Sequence, residues 1–171
     1  MADGSGGTAA APALRRLLAV DLGLRTGFAL FDDGGRLERV GSRNFGTRTR
    51  LRGGADGLLR EAGSIQALVV EGDRALGDVW AKRAGRRGAQ VLRVAPETWR
   101  ARLLHPREQR SGAGAKQAAD ALARRVITTC GDARPASLRH DAAEAVLIGL
   151  WALLELGWLP ALPAELDPRR R

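Results

Sequence analysis

The stretch Leu17-Leu18-Ala19-Val20-Asp21-Leu22-Gly23-Leu24-Arg25-Thr26-Gly27-Phe28-Ala29 decides how the chain is read. An apolar run from Leu14 to Asp21 ends at a carboxylate and meets glycine two residues later, the pattern of a buried strand entering a turn. Thr26 to Phe31 reads as a second strand. Asp32-Asp33-Gly34-Gly35 follows as a hairpin turn, because Asp and Gly accept the positive φ that such turns need. Arg36 to Phe45, with Leu37, Val40 and Phe45 among polar residues, reads as a third strand at the sheet edge. The first half of the chain is therefore expected to open with an antiparallel meander of three strands.

Downstream the pattern changes to alternating helices and strands. Arg50 to Ala62 carries Leu51, Leu58 and Leu59 at helical spacing but also three glycines, so only a weak helix is expected. Gln66 to Val70 is an apolar strand ending at Glu71. Leu76 to Arg87 reads as a helix rich in base, with Lys82, Arg83, Arg86 and Arg87. Gln90 to Ala95 is a fifth strand stopped by Pro96. Pro96 to Leu104 reads as a short helix, with proline in its first turn and Glu97 near the positive end of the dipole. His105 to Gly114 reads as a mobile basic loop flanked by Arg107 and Arg110. Ala115 to Thr129 is a helix closed by Gly131. After the linker Asp132 to Ser137, a last helix starts near Asp141 and runs through Trp151 to about Leu156. This order predicts an α/β fold, a five-stranded mixed sheet flanked by helices. Residues 1–13 read as a flexible arm, 14–157 as one domain, and 158–171 as an unpacked Pro/Arg-rich tail.

Composition narrows the partners. The 171 residues are 44% hydrophobic, enough for one ordinary domain. Basic residues outnumber acidic ones by 28 to 19, giving a net charge of +9, so an anionic partner such as nucleic acid is the first candidate. Almost all of that charge is arginine, Lys82 and Lys116 being the lysines, which is also what an Arg- and Ala-rich codon bias produces. Cys130 is the one cysteine, excluding an internal disulfide framework and a cysteine-cluster metal site; it reads as a small core residue. No run reaches the roughly 18 to 20 apolar residues that a membrane span needs, and no secretory signal is visible. The expected location is the cytoplasm, with the nucleoid; an organelle stays open.

Four acids stand out. Asp21 ends the first strand and Glu71 the fourth; if those strands lie side by side and parallel, both carboxylates emerge at one edge of the sheet. Asp141 and Glu144, three apart, share a helix face. Gathered together they would repel one another, and divalent cations are the physical remedy. Two such ions could activate water and stabilise the leaving oxygen of a phosphodiester. Each acid also has an ordinary explanation. Asp21 could be a turn residue and Glu71 a solvated strand end. Asp141-Ala142-Ala143-Glu144 ahead of an apolar run matches the capping-box pattern. His140 could tune the site or simply cap the helix. Asp73 and Asp78 read as solvated loop acids, Trp80 and Trp99 as core or stacking surfaces, and His105 has no evident partner.

Leu17 to Ala29, Val69-Val70-Glu71 and His140-Asp141-Ala142-Ala143-Glu144-Ala145 together resemble the RuvC-like Holliday junction resolvases of the ribonuclease H-like superfamily, over about residues 15 to 156. The resemblance implies a ribonuclease H-like fold. It also implies that Asp21, Glu71, Asp141 and Glu144 hold two Mg²⁺ or Mn²⁺ ions, and that a homodimer cuts four-way DNA junctions. Lys116 matches the family's lysine on the penultimate helix. Two departures stand beside these matches: the last acid is glutamate where the family more often has aspartate, and Gly72-Asp73-Arg74-Ala75 lacks the aromatic that follows the fourth-strand glutamate in well-known members.

On this reading Asp21 bridges both ions, Lys116 or His140 stabilises developing charge, and Arg83, Arg86, Arg87, Arg107, Arg110 and Lys116 hold phosphates without reading sequence. Three rivals remain in view. An RNA-processing nuclease of the same superfamily shares the fold. A non-catalytic nucleic-acid-binding domain would use the acids only as caps. An actin-like nucleotide-binding fragment would need a second large domain and phosphate loop, which 171 residues do not supply.

Overall fold

The computed structural model describes residues 14–131 and 137–168. The expected N-terminal arm, most of the linker after the penultimate helix and the terminal Arg169-Arg170-Arg171 lie outside the described residues. The elements are β1 (Arg16–Leu22), β2 (Arg25–Asp32), β3 (Leu37–Asn44), α1 (Arg48–Ala62), β4 (Ala67–Gly72), α2 (Arg74–Gly85), β5 (Gln90–Arg93), α3 (Pro96–Leu103), α4 (Gly112–Cys130) and α5 (His140–Glu155). They form one five-stranded sheet in the order β3-β2-β1-β4-β5. β1, β2 and β3 are an antiparallel meander, while β1–β4 and β4–β5 are parallel pairs. The mixed sheet and the parallel β1–β4 neighbours are those expected from the sequence.

Alternation along the strands divides the core into two layers. Leu17 and Ala19 of β1 and Ala67 and Val69 of β4 face α3, α4 and α5. Leu18, Val20, Leu68 and Val70 face α1 and α2. α5 lies in the middle of its layer and is buried on all sides from Ala142 to Leu153, which explains why its sequence is apolar all round rather than striped. Among the described residues no helix is long and apolar enough to cross a membrane.

Several elements differ from expectation for identifiable reasons. α1 is a full helix of 15 residues despite its glycines. Leu51, Ala55, Leu58, Leu59 and Ala62 recur on one buried face, and the Thr47 side chain accepts from Arg50 N at 3.2 Å as an N-cap. Gly54 is required there, since a Cβ would fall 2.0 Å from the Phe45 ring. Asp73 and Asp78 are exposed, as expected, but each has a structural partner, and Asp78 is helical rather than in a loop. Asp73 caps α2 through Leu76 N at 2.8 Å, and Asp78 sits within α2 and pairs with Arg93. The stretch read as a mobile loop folds into a 3₁₀ turn, Pro106–Gln109, with His105 as its cap: His105 Nδ1 accepts from Arg107 N, and Glu108 Oε2 accepts from His105 N at 2.8 Å. Cys130 is half-buried at the end of α4, where burial pushes its thiol pKa up.

The segment after α5 is packed where the sequence suggested an unpacked tail. Trp158, Leu159 and Leu162 lie against the α5 layer, Leu166 is 1% exposed, and Arg125 Nη2 donates to the Glu165 carbonyl at 3.0 Å. Three prolines masked a segment whose leucines find room only once α4 and α5 are side by side. Leu166→Ala is therefore expected to cost about 2 to 5 kcal/mol in a denaturant titration; an unchanged midpoint would show the segment to be loose.

Candidate active site

A single line of paired residues crosses the sheet. In β1–β4 register Asp21 faces Glu71, in β1–β2 register Asp21 faces Gly27, and in β2–β3 register Gly27 faces Ser42. Ser42, Gly27, Asp21 and Glu71 thus form one transverse row, with neighbouring backbones about 4.8 Å apart. Asp21 shares the parity of Leu17 and Ala19, and Glu71 that of Ala67 and Val69, so both acids emerge on the α5 side.

The start of α5 sits directly on this row. A Cβ on Gly27 would lie 1.9 Å from the backbone oxygen of Asp141, so only glycine permits the approach. Ser42 Oγ donates to the Asp141 carboxylate, tying the helix start to β3. The N-cap of α5 is Arg139, which makes no side-chain cap bond, and Asp141 lies within the first turn. The capping-box explanation therefore fails: Asp141 bonds to the sheet, and Glu144, buried, bonds across to α3.

α3 supplies two partners that the sequence reading did not single out for this place. The indole N–H of the fully buried Trp99 donates to Glu71 Oε2, and Arg100 Nη2 lies 2.8 Å from Glu144 Oε1. Trp99 is thus a core residue with a polar task rather than an exposed stacking surface, and Trp80 is likewise fully buried. His140 reaches the same Glu144 oxygen at 3.5 Å. Ser42, Trp99 and Arg100 carried no local signal; only sheet register and helix docking bring them here.

The four acids interact electrostatically. Burial, then repulsion from Glu144, Glu71 and Asp141, pushes the Asp21 carboxyl up to about 8, against a smaller opposing pull from Arg100. Burial raises Glu71 to about 7, with Glu144 adding and the Trp99 N–H opposing. Four carboxylate donors are the hard-oxygen set that Mg²⁺ and Mn²⁺ prefer, and the raised pKa values mark negative charge short of compensation. Among the described residues, however, no three His, Cys, Asp or Glu side chains stand together in ion-holding geometry. Ser42, Trp99 and Arg100 each hold one of the acids instead. The donor chemistry fits divalent ions; the carboxylates would have to draw closer to share one.

The basic residues are more scattered. Arg83 turns to α1, lying 3.4 Å from Asp56 and donating to the Arg52 carbonyl. Arg86 and Arg87 are exposed beyond the C-terminal end of α2, in the layer opposite the acids. Arg107 and Arg110 are exposed in the α3–α4 connection and Lys116 near the start of α4, in the layer that the acids face.

This five-stranded mixed α/β architecture is similar in fold to solved Holliday junction resolvases. Two solved structures carry it: RuvC from T. thermophilus in complex with a Holliday junction substrate, and Ydc2, the Holliday junction resolvase of yeast mitochondria. The first is 16% identical with a TM-score of 0.53, covering 84% of this chain and 96% of that one. The second is 11% identical with a TM-score of 0.57, covering 85% and 82%. No protein-family model and no curated protein sequence matches the chain.

Two measurements test this geometry. Gly27→Ala should push the α5 start off the sheet, costing about 1 to 3 kcal/mol by chemical unfolding and shifting the amide signals of Asp141 and Ala142. For pH, raised carboxyl pKa values mean that the folded chain binds protons that the unfolded chain has already released. Without divalent ions, stability should thus fall as pH rises from about 4 to about 8, and Asp21→Asn should flatten that slope in thermal melts.

Proposed function

We propose that this protein is a divalent-metal-dependent endonuclease that cuts four-way DNA junctions, working as a homodimer. The observation that carries the reading is the row Ser42–Gly27–Asp21–Glu71 with the Asp141/Glu144 turn seated on it, in a fold shared with two junction resolvases. Acids on two strand ends and one helix start have no common structural duty, and burying Glu71 and Glu144 among them costs stability, a pattern found where side chains do chemistry.

Asp21, Glu71, Asp141 and Glu144 would hold two Mg²⁺ or Mn²⁺ ions. Such ions, when bound, supply positive charge to a phosphodiester and make water more acidic. The chain's own residues prepare the site. Trp99 fixes one oxygen of Glu71, Ser42 orients Asp141, and Arg100 with His140 orients Glu144. Lys116, Arg107 and Arg110 would receive phosphates on the side that the acids face, and this contribution should weaken steeply with salt. Arg86 and Arg87, on the opposite layer, would touch only a more distant arm of a branched substrate, and Arg83 would first have to leave Asp56.

The decisive assay is cleavage of a four-way junction in Mg²⁺. Asp21→Asn should keep junction binding but lose roughly 100-fold or more of the cutting rate, since ion-supplied charge stabilisation amounts to several kcal/mol. Undiminished cutting by that variant would refute the site, whereas cleavage of structured RNA in preference to the junction would reassign the substrate.

A further inference from the structure

The cation closest to the acids belongs to the chain itself. Arg100 pairs with Glu144 at 2.8 Å, the two side chains being only 25% and 11% exposed, so the pair is largely withdrawn from water. The guanidinium also lies over the Trp99 ring, 5.0 Å from its centroid. Its Nε is buried without a hydrogen-bond partner. Successive residues of α3 thereby grip two of the four acids, Trp99 holding Glu71 and Arg100 holding Glu144. His140, at 45% exposure and 3.5 Å, is the weaker neighbour of the same oxygen.

A buried N–H with no acceptor is unfavourable, so this placement of Arg100 needs a compensating attraction. The acidic cluster supplies it: the positive charge opposes the repulsion felt by both Asp21 and Glu71. Guanidinium does not lose its proton in proteins, so the compensation is permanent.

We propose that Arg100 is a resident counter-cation of the site: it neutralises part of the acidic cluster before divalent ions arrive, and it competes with them for Glu144. The inference rests on the metal-binding reading given above. A carboxylate oxygen held in an ion pair must give up that pair, wholly or in part, to ligate an ion. Arg100 and a divalent cation are therefore negatively coupled, and the coupling is reciprocal. Arg100 acts through Glu144 and is a positioning residue.

The experiment uses the full-length chain as wild type, Arg100→Gln and Arg100→Lys, with thermal melts in chelator and Mn²⁺ binding by calorimetry. In chelator the Gln variant should melt roughly 4 °C or more below wild type. It should bind Mn²⁺ roughly fivefold or more tightly than wild type, so that saturating Mn²⁺ narrows the difference in melting temperature. A Gln variant as stable as wild type in chelator, or one binding Mn²⁺ equally or more weakly, overturns the proposal. Should the Gln variant fail to fold, Arg100→Lys decides, because it keeps the charge but loses the planar fork. Tighter Mn²⁺ binding by the Lys variant supports competition, and equal or weaker binding overturns it. Wild type that binds no Mn²⁺ at all removes the metal reading itself, a failure distinct from any change between variants.

Discussion

At Gly27 the backbone of α5 lies so close to the sheet that no side chain fits between them, and the acidic cluster depends on that approach. A β-carbon at this place would separate Asp141 and Glu144 from Asp21 and Glu71, and each pair would become an ordinary solvated feature. The helix start carries no side-chain cap of its own. Asp141, instead of folding back on its own amides, is held by Ser42 from the strand beyond Gly27.

Closeness of this kind has an electrostatic cost that the surrounding residues partly offset. Burial and mutual repulsion raise both sheet carboxyls, while Trp99 and Arg100 from α3 pull the other way. α3 is short, and its two buried apolar anchors, Trp99 and Leu103, belong to the α5 layer. Its packing against α5 thus sets both the hydrophobic contact and the position of the donors. A fold that concentrates uncompensated charge at one strand end gives up stability there, which is common where a protein's chemistry is done.

The rest of the molecule is arranged around this end of the sheet. The 3₁₀ turn capped by His105 holds Arg107 in place and leads into α4, so the α3–α4 connection is an ordered basic edge rather than a loose loop. The packed segment after α5 closes the same layer from outside, with Leu166 against the core. Charge on the opposite layer is partly consumed by internal pairs such as Arg83 with Asp56 and Arg93 with Asp78. The count of 28 basic residues therefore overstates how much basic surface is free to meet an anion, whereas the net charge of +9 already allows for such pairs.

Much was legible in the chain alone because it rests on local rules. Period-two alternation, the Asp32–Gly35 turn and the apolar run of α5 specify the strands, the meander and the central helix. The strand-end acids and the 141/144 pair were visible as chemistry in the right order. What the sequence left undecided was everything that requires one element to meet another. Whether Asp141 capped its helix or faced the sheet, that Trp99 and Arg100 would grip Glu71 and Glu144, and that the proline-rich end would pack were settled only by the tertiary structure. The physical reason is that a hydrogen bond between residues 28, 44 or 99 positions apart leaves no periodic trace. Such bonds are decided by register and by the space that a glycine leaves open.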